Sequence, residues 1–130
     1  MSVIRFGSGA PWEGIVGYSR VVVRGEAAWV SGTTSIVDGE VVHAGDAAAQ
    51  TRQALTTIAA SLERAGFTMN DVVRTRMFVT DISRWEEIGR VHGEVFGDIR
   101  PATTMVQVAA LIDPAMLVEI EADAVRGFPA

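Results

Sequence analysis

The chain has 130 residues, with 11 cationic side chains against 16 acidic ones and a net charge of −5; every cation is arginine, and lysine and cysteine are absent. That composition excludes a Schiff-base lysine, a P-loop lysine, a thiolate nucleophile, cysteine-held zinc and iron–sulfur clusters. An acidic chain without a basic run also speaks against a sequence-independent nucleic-acid binder. The length fits one domain over 1–130 with an ordinary core. The start, MSVIRFGSGAPWEG, lacks the cationic, apolar and small-residue order of a signal peptide, and no apolar run approaches the ~20 residues of a membrane span. The expected setting is therefore cytoplasmic, with no membrane partner.

Val3 to Phe6 is a short strand closed by Gly7-Ser8-Gly9, and Tyr18 to Arg24 followed by Ala27 to Gly32 predicts a hairpin turning at Gly25-Glu26. Ile36-Val37 and Val41-Val42 flank Asp38-Gly39, a dipeptide that favours a tight turn because the backbone there needs positive φ. From Asp46, an N-cap, an amphipathic helix places Ala48, Thr51, Leu55, Ile58, Ala59 and Leu62 on one stripe and stops at Gly66. Val72 to Thr80 predicts a strand with Arg74 and Arg76 on one face and Val73, Thr75, Met77 and Val79 on the other. Asp81 or Ser83 caps a second helix with the stripe Trp85, Ile88, His92, Val95 and Phe96, ended by Gly97. After Arg100-Pro101, ATTMVQVAAL and LVEIEADAV are both strand-like, joined by an Asp113-Pro114 turn. The order predicts an α+β domain with two helices on one face of a sheet.

His43 and His92 are far apart and carry no carboxylates at ligand spacing, so no metal or other cofactor is expected. His92, on an apolar stripe, reads as a structural residue with one ring nitrogen bonded locally. In the last strand Glu119, Glu121 and Asp123 alternate with Val118, Ile120 and Ala122, placing three carboxylates on one face. Two readings of the trio stand side by side. The acids pair across strands with Arg74 and Arg76, or one of them positions a water for attack on an electrophilic carbon, as general-base catalysis requires.

Several separated segments together resemble the RidA family, also called YjgF/YER057c/UK114, over almost the whole chain. They are Ala10-Pro11, Gly17-Tyr18-Ser19-Arg20 with Val21-Val22, Val30-Ser31-Gly32, Gln50 to Leu55, Met77 to Asp81, Arg100 to Thr104, Val106 to Ala109 and Val118 to Ala122. The resemblance implies a chorismate-mutase-like (YjgF-like) subunit, a mixed sheet with two helices on one face, assembled as a homotrimer with small-molecule pockets between subunits. It further implies hydrolysis of enamines and imines to 2-oxo acids and ammonia, with Glu119 orienting the water, Tyr18 bordering the pocket, and Ser31 and Gly32 giving polar contacts.

The family's substrate-carboxylate arginine falls on Thr103, followed by Thr104 and by Met105 where cysteine is common. Other departures are Gly17 for proline, Thr33 for glutamine and Gly89 for asparagine. A charge-assisted fork worth about 2 to 3 kcal/mol is not replaced by a threonine hydroxyl. Arg100, three residues before Thr103, is expected on the opposite strand face. Arg20 shares parity with Tyr18 and is the candidate for a relocated anion contact. Three functions follow: a hydrolase of imine-like small molecules with weak or absent 2-iminobutanoate deaminase activity, a non-catalytic trimer binding a small metabolite, and an endoribonuclease, the least supported.

Overall fold

A strand paired on both sides has no freedom to choose which side chains face the core, and this constraint organises the sheet. The computed structural model describes residues 2–127. Its strands are β1 (Val3–Phe6), β2 (Val21–Arg24), β3 (Ala27–Thr33), β4 (Ile36–Val37), β5 (Glu40–Val41), β6 (Val72–Val79), β7 (Ala102–Gln107) and β8 (Val118–Val125), with helices α1 (Ala47–Arg64) and α2 (Trp85–Phe96). Six strands form one mixed sheet in the order β1-β2-β3-β8-β6-β7, antiparallel throughout except for the β6–β7 pair. The small β4–β5 ribbon turns at Asp38-Gly39, both with positive φ as the dipeptide requires.

β8 runs between β3 and β6, so the last two strands are not neighbours; the segment between them carries the chain across β6. Val118, Ile120, Ala122 and Ala124 are all fully or almost fully buried, and both helices pack on that side. α1 is entered through Asp46, whose carboxylate accepts the Ala49 amide at 3.0 Å. It ends where Gly66 takes a φ of 86° and the Phe67 and Gly66 amides reach the Leu62 and Glu63 carbonyls, the paired hydrogen bonds of a Schellman ending.

Three expectations about faces are corrected. Val73 does not share the core face of β6: it is exposed and Val72 is buried, because a bulge between Val72 and Arg74 sets two residues against one on β8. In α2, Trp85 is 56% exposed and the buried stripe is Ile88, Val91, His92 and Phe96. Trp85 opens the helix directly after the 3-10 turn of Ile82–Arg84, which Asp81 caps through the Ser83 amide. The buried face of α1 is also more polar than the expected stripe, since besides Thr51 it includes Gln50 and Ser61.

Gln50 is fully buried and joins three segments. Its Nε2 donates to the carbonyls of Ala115 (2.8 Å) and His43 (3.2 Å), and its Oε1 accepts the Leu117 amide at 2.8 Å. The turn entering β8 is thereby fixed to α1. Replacing Gln50 by leucine keeps the volume and takes the side-chain partner from three backbone groups, so Gln50→Leu is expected to lower stability by about 3 kcal/mol. Urea unfolding checks this through a lower midpoint at unchanged slope; a loss below about 1 kcal/mol would contradict the assigned role.

Candidate functional site

The open face of the sheet is built by the second parity class of each strand. On β8 that class is Glu119, Glu121 and Asp123, paired in register with Phe78, Arg76 and Arg74 of β6. The cross-strand pairing reading holds for two members of the trio, through Arg76 and not Arg74. Arg76 Nη1 lies 3.3 Å from both Glu121 and Asp123, which are therefore cross-strand partners, whereas Glu119 is not among the ion-paired acids of the described residues. A groove of about 380 Å³ lies on this face beside Trp29, and its acids are the two held by Arg76.

Glu119 sits instead where β3 loses its regular register, between Val30 and Thr33. The irregularity turns Thr33 into the core opposite Ile120, where its hydroxyl donates to the Ser31 carbonyl at 2.8 Å. Thr33 therefore points away from the open face. Gly32 passes directly over Glu119: a Cβ at Gly32 would stand 2.9 Å from the Glu119 Cδ and 3.2 Å from both carboxylate oxygens. Only glycine fits there without displacing the carboxylate. Ser31 is committed locally, its Oγ donating to the Ser19 carbonyl at 2.6 Å.

Arg20 and Tyr18 precede β2 and join this group. Arg20 donates through Nη2 to the Gly32 carbonyl at 2.7 Å, while its Nε is buried without a hydrogen-bond partner. Burial pulls the guanidinium's pKa down, and Tyr18, Glu13 and Glu119 act against that pull. Glu13, which the sequence pattern does not single out, is held by the Ser8 amide and hydroxyl, and these hydrogen bonds keep its carboxyl below the usual range. Gly17 has a φ of 88°, a conformation closed to proline, at the approach to Tyr18. Tyr18 is 38% exposed on this surface.

Tyr18, Arg20, Ser31, Gly32 and Glu119 are thus one cluster. Thr103 is not part of it. In the parallel pairing of β7 with β6, Thr103 stands opposite the fully buried Thr75 and faces the helices, as does Met105 opposite Met77; Thr104 stands opposite Arg76 on the open face. The Thr75 hydroxyl donates to Thr103 Oγ1 at 2.7 Å and meets His92 Nε2 at 2.8 Å. His92 has a local hydrogen-bond partner, as its place on an apolar stripe predicts, and burial lowers its pKa.

Arg100 corrects the parity expectation. It lies ahead of β7 with a φ of 53°, so strand alternation does not apply, and it lines the same groove as Thr103, beside His92, Phe96 and Pro101. Among the described residues no group of three or more His, Asp and Glu has the arrangement of a metal site, and no helix is long and apolar enough to cross a membrane.

A family model described as endoribonuclease L-PSP matches residues 9–126. The chain belongs to this family, also known as YjgF/YER057c/UK114 or Rid. A member of it from Mycobacterium tuberculosis, Rv2704, has a crystal structure 54% identical in sequence, with a TM-score of 0.88, covering 96% of this chain and all of that one. An uncharacterised Streptomyces coelicolor protein, SCO2049, is 35% identical over 126 residues, covering 97% of this chain and 94% of its own length. A crystal structure of E. coli TdcF with bound serine is 28% identical, with a TM-score of 0.79 and coverages of 95% and 94%. The α+β mixed sheet with two helices on one face is the fold of this family.

Burial raises the pKa of Glu119, the Glu121 charge raises it further, and Arg20 opposes both. A carboxyl that holds its proton more tightly folded than unfolded contributes stability that is present below the ordinary carboxylate pKa and lost as pH rises through its folded value. Glu119→Gln removes that loss. The variant is therefore expected to gain stability over the wild type at about pH 8 and to gain less at about pH 4, as read by chemical denaturation at both. A gain independent of pH would contradict the assigned electrostatics.

Proposed function

We propose that this chain is a homotrimeric hydrolase of the RidA type, acting on an enamine or imine-like small molecule in a cleft between subunits. The observation that carries the reading is the isolation of Glu119: it is the acid of β8 that Arg76 does not hold, and it is half-buried under Gly32 with its pKa raised. A general base works best when its pKa is drawn toward the working pH while its ionised form persists. Burial supplies the first condition and the nearby Arg20 the second.

In the proposed reaction the Glu119 carboxylate takes a proton from a water as its oxygen bonds to the carbon of a C=N group. The proton then passes to the nitrogen, giving a carbinolamine; its hydroxyl proton is carried by Glu119 to the amine as the C–N bond breaks, so that ammonia leaves and the carbonyl forms. Tyr18 borders the cleft, Gly32 leaves room for the carboxylate, and Ser31 fixes the strand by its bond to Ser19. Arg20, held by the Gly32 carbonyl beside Glu119, serves as the relocated anion contact.

Within this reading a second subunit completes the cleft, because one chain holds Glu119 and Thr103 on opposite faces of its sheet. The half of the cleft formed by Thr103, with Met105 on the same face, comes from a neighbouring subunit, and Thr104 lies on the open face. The serine held by E. coli TdcF is a small amino acid, in keeping with a small polar ligand.

The threonine at 103 favours a second reading, a trimer that binds a small metabolite without turning it over. The endoribonuclease reading finds less support, since the chain carries a net charge of −5 and His92 is occupied by Thr75.

An amino-acid oxidase generating 2-iminobutanoate, with the free imine trapped, separates these. The wild type is expected to deaminate it at least about tenfold more slowly than a relative with arginine at the position of Thr103. On a substrate that is turned over, Glu119→Gln is expected to lose about 100-fold or more while remaining trimeric. Saturable binding with no product from any imine would favour the second reading. A Glu119→Gln variant as active as the wild type would overturn the first.

A further inference from the structure

We propose that Glu13 is a positioning residue of the site on the open face: clamped by Ser8, it holds the Arg20 guanidinium back from Glu119 and so keeps that carboxylate free of an ion pair. The inference deepens the hydrolase reading and rests on it, since an acid locked to an arginine is a poor base.

The loop that carries Glu13 joins β1 to β2 and has little packing of its own. Trp12, Ile15 and Val16 are all well exposed, and a Cβ at Gly14 would meet nothing within 4 Å. Hydrogen bonds hold the loop instead, and Glu13 is their centre. Its amide donates to the Ala10 carbonyl at 3.2 Å, and its carbonyl accepts the Tyr18 amide at 3.0 Å, closing the single π-helical turn of Glu13–Gly17. Its carboxylate turns back to the start of the loop, where both oxygens accept the Ser8 amide at 3.1 Å and one accepts the Ser8 hydroxyl. The fit is close, since a Cβ at Gly7 would stand 2.9 Å from Glu13 Oε1. Arg64 of α1 donates to the Gly7 carbonyl at 3.1 Å, which anchors this end of the loop to the helix layer. At the other end the Arg20 amide donates to the Phe6 carbonyl at 2.8 Å. The Glu13 charge is therefore fixed in position, and its hydrogen bonds to Ser8 keep it ionised below the usual carboxylate range.

Arg20 is shared between that charge and Glu119. Both acids act on the guanidinium, as does Tyr18, yet Arg20 forms no ion pair among the described residues. Its Nη2 is engaged by the Gly32 carbonyl at 2.7 Å, and Gly32 itself passes over the Glu119 carboxylate. A guanidinium so near a half-buried carboxylate has every reason to close on it as a charge-assisted pair. Two attractions oppose the closure: the Gly32 carbonyl holds one nitrogen, and Glu13 draws the same charge toward the loop. The charges that act on Glu119 are those of Glu121, which Arg76 holds, and Arg20; Glu13 is not among them. Glu13 therefore works on Glu119 through Arg20.

The test reads the Glu119 carboxyl directly, by carbon-detected NMR titration of the full-length protein labelled at its glutamate side chains. The Glu119 signal is the one missing from Glu119→Gln. In Glu13→Gln the Glu119 midpoint is expected to move to lower pH, because the released guanidinium closes on the carboxylate and favours its ionised form. Arg20→Gln is expected to move it to higher pH, and the double variant Glu13→Gln/Arg20→Gln to titrate as Arg20→Gln does alone. Glu26→Gln, which removes an exposed acid paired with Arg126, is expected to leave the midpoint where it was. An unmoved or raised midpoint in Glu13→Gln would overturn the proposal. So would a fall that persists without Arg20, since that is a direct field between the two acids. Turnover retained in Glu119→Gln is read separately and would remove the hydrolase reading alone.

Discussion

The pairing of β8 on both edges is the constraint on which the rest of the structure depends. That strand pairs with β3 between Ile120 and Val125 and with β6 between Val118 and Ala124, so its side chains alternate between the helices and the open face. Four buried residues then fix the core under α1 and α2, and three acids are forced together on the other side. The protein neutralises two of them with Arg76 and leaves the third beneath a glycine. The Gln50 clamp extends this logic to the strand's entry, since the turn from Asp113 to Leu117 is set by a side chain of α1. A shift of β8 by one residue would exchange its core and open faces, so the placement of Glu119 is a by-product of packing.

Where local pattern and tertiary pairing agree, the sequence is easily read. The alternation in Val118 to Ala124, the Asp38-Gly39 turn and the Asp46 and Gly66 ends of α1 all stand as their residue types require. Failures came where one backbone irregularity reverses the parity of everything beyond it. The bulge after Val72 exposes Val73, and the left-handed φ of Arg100 brings it to the side of Thr103. Neither position holds glycine, the usual sequence mark of such a conformation. The burial of Gln50 is illegible for a related reason: a polar residue on a helix stripe signals burial only when its partners are known, and these lie 65 and 67 residues away.

The candidate site shows the same division. Resemblance alone singles out Tyr18, Ser31, Gly32 and Glu119 as candidates, and the register of β3 with β8 gives a physical reason for their company. Arg20 was found by parity with Tyr18, and its bond to the Gly32 carbonyl makes it part of the same group. Thr103 departs from the family's arginine, and the structure ties it to Thr75 and His92 on the far side of the sheet. The proposed cleft therefore divides into two halves that no single subunit brings together: an acid with its arginine on one face, and a hydroxyl with a different arginine on the other.

That division makes subunit mixing the most direct test of the central claim. Glu119→Gln and Thr103→Phe, each inactive alone on a substrate the wild type turns over, are unfolded together and refolded as hybrid trimers. Clefts formed from the intact half of each variant restore a fraction of wild-type turnover if the site spans two subunits. Hybrids verified by mass spectrometry that remain as inactive as their parents would contradict it.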